Sequence, residues 1–178
     1  MHLVLVRHCE TDWNKKRIVQ GHTDIELNEN GRKQAKQLAV GLQSLGISVI
    51  YSSDLLRAAQ TANIIAHSLG ISAYQDNCLR ECSFGSLEGK TAEEFDRLAN
   101  RSGTRQERMK NYDYTKFGGE SRSQVLKRML EVINRISALH NGSLPLLVSH
   151  GNVLDTLLQY LGHDIPLLQG SYRIIEFM

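Results

Sequence analysis

Two histidines and two arginines lie just beyond short apolar runs that have the composition of buried strands. They are Arg7, His8, Arg57 and His150. The guanidinium of arginine presents a planar fork of donors that suits phosphate oxygens. An imidazole can attack phosphorus or donate a proton to a non-bridging oxygen. One such residue alone is most often a satisfied surface group, whereas four of them beyond equivalent strands predict a pocket for a phosphoryl group.

The runs that precede these residues predict a largely parallel sheet. Such runs are rich in Val, Leu and Ile, and they cover residues 2–6, 47–51, 71–74, 144–148 and 171–177. Between them, apolar residues recur at helical spacing, with Asn28 as a candidate N-cap and Gly46 as a stop signal. The least regular stretch, 100–119, is interpreted as a loop or lid.

Strands that alternate with long helices favour the α/β class, here a three-layer α/β/α sandwich with a mostly parallel central sheet. The carboxyl ends of parallel strands meet at one edge of such a sheet, and ligands bind beyond that edge. We therefore expect the four residues to converge on one site.

Length and composition favour a single domain over residues 1–178. The chain has 178 residues, of which 41% are hydrophobic, and this length suits a single core. The net charge of +2 arises from 21 basic and 19 acidic residues that are interleaved, which argues against nucleic-acid binding and against a polybasic membrane anchor. No apolar run reaches the roughly 18 residues of a membrane span, and no signal peptide precedes the first strand. We expect a cytoplasmic protein with free thiols.

Short motifs around these residues resemble those of a known family. Arg7-His8-Cys9-Glu10-Thr11 is similar to the R-H-G-E-T signature of the histidine phosphatase superfamily, also called the phosphoglycerate mutase-like family. Further matching motifs follow in order from residue 3 to about residue 155. They include Trp13-Asn14, Gln20-Gly21, Arg57-Ala58, Leu79-Arg80-Glu81, Gly119-Glu120-Ser121 and Val148-Ser149-His150-Gly151.

The resemblance implies catalysis through a phosphohistidine. By it, His8 is the nucleophile, Glu81 is the general acid, and a protonated His150 assists Arg7 and Arg57 in binding the phosphoryl oxygens. Substrate-binding roles follow for Asn14, Gln20, Gly21 and Asn152. No cofactor or metal is expected, and we interpret His22, His67, His140 and His163 as structural because they lie apart in the sequence.

Hydrolysis of a small phosphorylated metabolite is the favoured activity. Family mutases carry inserted segments that close over the ligand, whereas this chain has only a short cap, at about residues 91–120. The main alternative is a cofactor-dependent phosphoglycerate mutase, which Asn152 favours. A non-catalytic phosphate-binding relative is a further alternative, against which His8 and Glu81 argue. The oligomeric state is left open.

Basic residues cluster in the cap, and two interpretations of them stay open. They either bind a second anionic group of the substrate or form a solvated face. They are Arg97, Arg101, Arg105, Arg108, Lys110 and Lys116.

Cys9 stands where the family signature has glycine. Successive side chains at a strand end point to opposite faces, so Cys9 is expected to point away from His8 and into the protein. Buried there, its thiol should behave as a small hydrophobic group with a raised pKa.

Overall fold

A five-stranded sheet forms the centre of the protein in the computed structural model, which describes residues 1–177 and leaves aside the side chains of Arg105 and Gln106. Its strands are β1 (His2–Arg7), β2 (Ile47–Ser52), β3 (Ala73–Gln75), β4 (Leu144–Ser149) and β5 (Tyr172–Glu176). The strand order is β3-β2-β4-β1-β5. Only β5 runs antiparallel to its neighbour, so the predicted mostly parallel sheet is confirmed. The third strand begins two residues later than predicted because the Ile71 amide still closes the preceding helix on Ala66 O.

Helices cover both faces of this sheet. They are α1 (Asp12–Lys15), α2 (Glu29–Leu42), α3 (Leu56–Leu69), α4 (Ala92–Leu98), α5 (Arg105–Lys110), α6 (Arg122–Leu139) and α7 (Gly151–Tyr160). Alternate residues of β1 show the two layers. Val4 and Val6 pack into one core with α2 and α3, while Leu3 and Leu5 pack into the other with α6 and α7. The three-layer fold is therefore confirmed.

The two cap residues predicted for α2 lie where the sequence places them. The side chain of Asn28 accepts from Gly31 N, and Gly46 ends the short helical turn after α2 in a left-handed conformation. Close packing requires glycine at position 31, because a Cβ there would lie 2.1 Å from Glu10 O. This contact holds α2 against the loop that follows β1.

The cap region departs from prediction over residues 105–110. The stretch 100–119 was interpreted as irregular, but it contains α5, which begins at a capping box between Thr104 and Glu107. The cap is attached through aromatic packing, and the ring centroids of Phe84 and Phe95 lie 5.1 Å apart. Both rings belong to the same core as α6 and α7.

Across residues 1–177, no helix has both the length and the apolar character needed to span a membrane.

Candidate active site

His8 follows β1 and presents one ring nitrogen for attack. Its backbone amide donates to Ser149 O at 3.0 Å, which fixes it beside the end of β4. Its ring Nδ1 lies 2.7 Å from Cys9 O. Because a carbonyl only accepts, Nδ1 must carry the proton, and Nε2 therefore carries the free lone pair. Burial, together with the charges of Arg57 and Arg7, holds the pKa of His8 well below its usual range, so the ring is neutral near pH 7.

His150 faces His8 from the residue just before α7. The two ring centroids lie 5.1 Å apart, and His150 is fully buried. Among the described residues, neither of its ring nitrogens has a hydrogen-bond partner. Burial and the nearby charge of Arg57 lower its pKa well below the usual value. His150 is therefore neutral in the ligand-free pocket, whereas a bound phosphate dianion would favour the protonated form that is expected during phosphoryl transfer.

Arg57 is a buried cation held by the backbone of a neighbouring loop. It is 1% exposed, and it donates from Nη1 to Thr23 O at 3.0 Å and from Nη2 to Gly21 O at 2.7 Å. Its Nε has no partner among the described residues. Burial lowers the pKa of Arg57 to about 10, which leaves it charged near neutrality. A desolvated guanidinium of this kind strongly favours an anionic ligand.

Arg7 is placed by close packing against the start of α7. It donates from Nη1 to Leu167 O at 3.2 Å. A Cβ on Gly151 would lie 3.0 Å from Arg7 Cζ, so a side chain at position 151 would displace the guanidinium. Glycine after His150 therefore leaves room for the Arg7 guanidinium beside the start of α7.

Glu81 reaches the first turn of α7 from the segment after β3. Its carboxylate accepts from Cys82 N at 2.9 Å and from Asn152 N and Val153 N at 3.3 Å each. Free amides at a helix N-terminus attract negative charge. His22, expected to be structural and apart from the site, lies within 2.8 Å of Glu81 O through its Nε2.

Arg128 and Glu120 form a supporting pair that sequence reasoning missed. Arg128 donates to both Glu120 carboxylate oxygens, at 2.8 and 2.9 Å. It also donates to three carbonyls of the segment that carries Glu81, namely Cys78 O, Arg80 O and Glu81 O. Burial alone would raise the pKa of Glu120, but the hydrogen bond and charge of Arg128 outweigh it and the pKa is lowered. Nothing in the spacing of these residues indicates this contact.

Asn14 and Gln20 line the site, and each has a side-chain amide that makes hydrogen bonds there. Asn14 Oδ1 accepts from Thr11 N at 3.1 Å, from Thr11 Oγ1 at 2.9 Å and from Gln169 Nε2 at 2.6 Å. Gln20 Oε1 accepts from Thr11 Oγ1 at 3.1 Å. The Thr11 hydroxyl has a single proton, which these two oxygens share, but Thr11 N and Gln169 Nε2 also donate to Asn14 Oδ1. The Asn14 NH2 group is therefore the one that can be offered to a ligand in a fixed orientation.

Glu88 fixes the loop that holds Arg57. Gly21 has φ of +52°, and a Cβ there would lie 2.2 Å from Glu88 Oε1. The Glu88 carboxylate accepts from the backbone amides of His22, Thr23 and Phe84. The structural role of Glu88 depends on its contacts with His22 and Thr23, which are distant in the sequence.

These groups surround one cleft of about 420 Å³. All predicted site residues except His150 line it, and the ring of His150 packs against the ring of His8. The lining residues are Arg7, His8, Asn14, Arg17, Ile18, Val19, Gln20, Gly21, Arg57, Glu81, Phe84, Ala92, Phe95, Asp96, Arg101, Arg108, Gly151 and Asn152. One neutral imidazole, the guanidinium groups of Arg7 and Arg57, and the carboxyl group of Glu81 therefore share a single space.

The cap contributes part of its basic cluster to the far side of the cleft. Arg101 and Arg108 line it, and both pair with Asp96, at 3.5 and 3.4 Å. Arg17, which sequence reasoning missed, also lines it. Among the described side chains, three predicted basic residues do not line the cleft, and the side chain of a fourth lies outside the description. The three are Arg97, Lys110 and Lys116, and the fourth is Arg105.

Cys9 points away from the cleft, as predicted. It is fully buried in the core with α2 and α3, and its amide donates to Thr61 Oγ1 at 3.1 Å. Burial raises the pKa of its thiol to about 11. The residue that departs from the family signature is therefore a packing residue.

Comparison with known proteins identifies a family. The family model described as histidine phosphatase superfamily (branch 1) matches residues 3–175. Phosphoglycerate mutase-like protein 4 of Arabidopsis thaliana is 37% identical over 163 residues, covering 87% of this chain and 68% of that protein. The probable phosphoglycerate mutase GpmB of Cronobacter sakazakii is 40% identical over 159 residues, covering 88% and 73%.

Similar solved structures cover nearly the whole chain. Bacillus stearothermophilus YhfR superposes with a TM-score of 0.80 at 33% identity, covering 98% of this chain and 90% of that one. The mycobacterial glucosyl-3-phosphoglycerate phosphatase in complex with VO3 superposes with a TM-score of 0.86 at 29% identity, again covering 98% and 90%.

Proposed function

The chain belongs to the histidine phosphatase superfamily, and from the geometry of its site we propose that it hydrolyses small phosphomonoesters through a phosphohistidine on His8. One observation carries the proposal. The Nδ1 proton of His8 is held by Cys9 O at 2.7 Å, inside a pocket that also contains Arg7 and Arg57. The neutral ring therefore offers an unprotonated Nε2 within a cleft where a phosphoryl group can meet the guanidinium groups of Arg7 and Arg57.

In the first step, His8 Nε2 attacks phosphorus and the bond from phosphorus to the ester oxygen breaks. Arg7, Arg57 and His150 bind the equatorial oxygens, which carry the negative charge that the transition state spreads. Glu81 donates its proton to the departing oxygen, so that an alcohol leaves. The products of this step are the alcohol and phosphohistidine.

In the second step, water attacks the phosphoryl group and the nitrogen–phosphorus bond breaks. Glu81, now a carboxylate, accepts a proton from that water. His8 returns to its neutral form and inorganic phosphate leaves. The same carboxyl group thus serves as acid and then as base.

We favour hydrolysis over transfer of the phosphoryl group from His8 back to a retained substrate, because the helices of the cap over the cleft are short. Helices α4 and α5 have seven and six residues, and Arg17 at the mouth is exposed. Water can therefore reach the phosphohistidine after the alcohol leaves. The alternative, phosphoglycerate mutase, is favoured by the names of curated relatives. In that reaction a retained substrate, and not water, would accept the phosphoryl group.

A substrate with a second anionic group fits the far side of the cleft. Arg17, Arg101 and Arg108 face it, and Asp96 offsets one of their charges. An excess of positive charge there favours a carboxylate or second phosphate on the leaving group. Phosphoglycerate, which the names of several relatives contain, has such a carboxylate.

Trapping of the intermediate tests the proposed chemistry. Brief mixing with a 32P-labelled phosphomonoester should leave label on the protein that acid removes and base preserves. His8→Ala should abolish this label, and His67→Ala, which changes an exposed histidine of α3, should not. Label retained by the His8 variant would contradict the assignment of the nucleophile.

Product analysis tests hydrolysis against transfer. A panel of phosphorylated metabolites that includes 3-phosphoglycerate should yield inorganic phosphate, with equal rates before and after addition of a chelator. Arg101→Ala and Arg108→Ala should raise KM for substrates with a second anion more than for aryl phosphates, whereas Arg97→Ala on the outer face of the cap should not. Isomerised phosphoglycerate as the main product would favour the mutase instead.

A further inference from the structure

We propose that Gln169 is a positioning residue that fixes the side-chain amide of Asn14, so that the Asn14 NH2 group faces the phosphoryl group. The inference rests on the proposed function, because it assigns Asn14 to that phosphate pocket. Gln169 lies in the connection between α7 and β5, far from every catalytic motif in the sequence. Its assignment therefore depends only on the tertiary contacts of that connection.

The connection, residues 167–171, contacts Arg7 at the end of β1 and the two residues that follow it. Leu167 O accepts from Arg7 Nη1 at 3.2 Å, and Ser171 O accepts from Arg7 N at 3.2 Å. Gly170 N donates to His8 O at 3.4 Å. In each of these contacts the connection contributes a backbone atom. A change of side chain in the connection would therefore leave them in place. Gln169 is different, because it reaches the site through its side chain.

The Gln169 amide donates to two acceptors of the site. The bond from Gln169 Nε2 to Asn14 Oδ1 is short, at 2.6 Å, and a longer contact of 3.4 Å joins the same nitrogen to Cys9 O. Cys9 O is also the acceptor that holds His8 Nδ1. The short bond indicates that the main effect of Gln169 is on Asn14.

The orientation of the Asn14 amide decides whether it attracts or repels phosphate. A phosphate dianion only accepts hydrogen bonds, so it binds the NH2 group and repels the carbonyl oxygen. Thr11 N and Gln169 Nε2 both donate to Asn14 Oδ1, and a flipped amide would place two donors against the Asn14 NH2 group. Gln169 thus stabilises the orientation in which Asn14 can donate to phosphate.

This argument predicts that the chemistry of position 169 matters more than its size. Gln169→Glu replaces the donor with a carboxylate, which would accept from the Asn14 NH2 group and turn it away from the cleft. Gln169→Leu removes the donor and leaves the orientation to Thr11 alone. The loss of phosphate affinity should therefore be larger for Gln169→Glu than for Gln169→Leu.

Calorimetric titration with inorganic phosphate measures this effect without requiring turnover. Gln169→Glu should raise the Kd for phosphate about tenfold, since a hydrogen bond to a charged ligand is lost, and Gln169→Leu should raise it less. In an Asn14→Ala background, Gln169→Glu should change Kd by less than about twofold, because the coupled partner is absent. Leu168→Glu adds the same charge at a neighbouring side chain that is 70% exposed, and it should have little effect.

Two results would overturn the inference. They are an unchanged Kd in both Gln169 variants, or an equal loss with and without Asn14. If Gln169→Glu fails to fold, the effect of Gln169→Leu on the Kd for phosphate, measured in the wild type and in Asn14→Ala, tests the inference in the same way. If the Gln169 and Asn14 variants change the Kd for phosphate as expected but the wild-type protein hydrolyses no phosphomonoester, the proposed function is refuted and this inference stands. A chain that does not bind phosphate would refute both.

Discussion

Replacing Arg128 with methionine should lower both the free energy of unfolding and kcat. Methionine keeps much of the length of the side chain but removes all five hydrogen bonds that Arg128 makes to Glu120 and to the segment before Glu81. Glu120 would keep its bond from Ser83 N, at 2.8 Å, and would lose its cation. Both effects follow from one side chain because the same guanidinium binds the half-buried carboxylate of Glu120 and positions Glu81, the proposed general acid.

The magnitude follows from the burial of the pair. Side-chain exposure is 16% for Arg128 and 20% for Glu120. Removing one member of a buried pair costs about 3–5 kcal/mol, and partial exposure places this case near 3 kcal/mol. For a chain of this length, that corresponds to a fall of roughly 6–12 °C in Tm. Since Glu81 loses one of its backbone anchors, kcat for an alkyl phosphate should fall about tenfold as well.

Urea unfolding and steady-state kinetics of purified variants provide the assay. Arg135→Met is the matched control, because Arg135 lies on the same helix and pairs with Asp76 at the surface, with its side chain 53% exposed. That pair should contribute about 0–1 kcal/mol. The double variant Glu120→Gln, Arg128→Met should recover part of the stability, since it removes the uncompensated carboxylate. Equal losses of unfolding free energy in Arg128→Met and Arg135→Met would refute the reasoning.

Three further predictions concern the acid, the core cysteine and pH. Glu81→Gln should slow alkyl phosphates far more than nitrophenyl phosphate, because a good leaving group needs little protonation, and equal losses in kcat/KM would instead indicate a binding role. Cys9→Gly should retain activity, and Cys9→Val should lower Tm by overpacking the core. Alkylation of the native protein at neutral pH, followed by mass mapping, should modify the half-buried Cys78 before Cys9, and rapid loss of activity with Cys9 modified would contradict its place in the core. The folded-state pKa of Glu120 lies below its unfolded value, so its contribution to stability should be present above about pH 4.3 and be lost as pH falls through the folded pKa. The difference in unfolding free energy between wild type and Glu120→Gln should shrink accordingly, and a difference that is constant from pH 7 to pH 3 would count against the ion pair.

The sequence alone determined the sheet and the centre of the site. Buried parallel strands read as continuous apolar runs, and their carboxyl ends lie at one edge, so the position of His8, Arg57 and His150 after separate runs was enough to place them together. The family motifs then identified Glu81, which no pattern of strands or helices would have placed. Cys9 could be assigned to the core from the alternation of side chains at the end of β1.

Tertiary structure alone decided which residues support these groups. Arg128 on α6, Glu88 before α4 and Gln169 before β5 reach the site over long sequence separations. A single arginine, glutamate or glutamine at such positions has the same composition and spacing as a solvated surface residue, so no local pattern distinguishes them.

Burial also decided the charge state of the two histidines. The sequence indicated two imidazoles, but their neutrality in the ligand-free pocket results from desolvation and from the cations packed around them. Which basic residues of the cap face the cleft depended likewise on the packing of α4 and α5, since Arg97 and Arg101 differ in environment and not in chemistry. Residue type sets what a side chain can do, whereas its desolvation and its partners, which depend on the whole fold, set what it does.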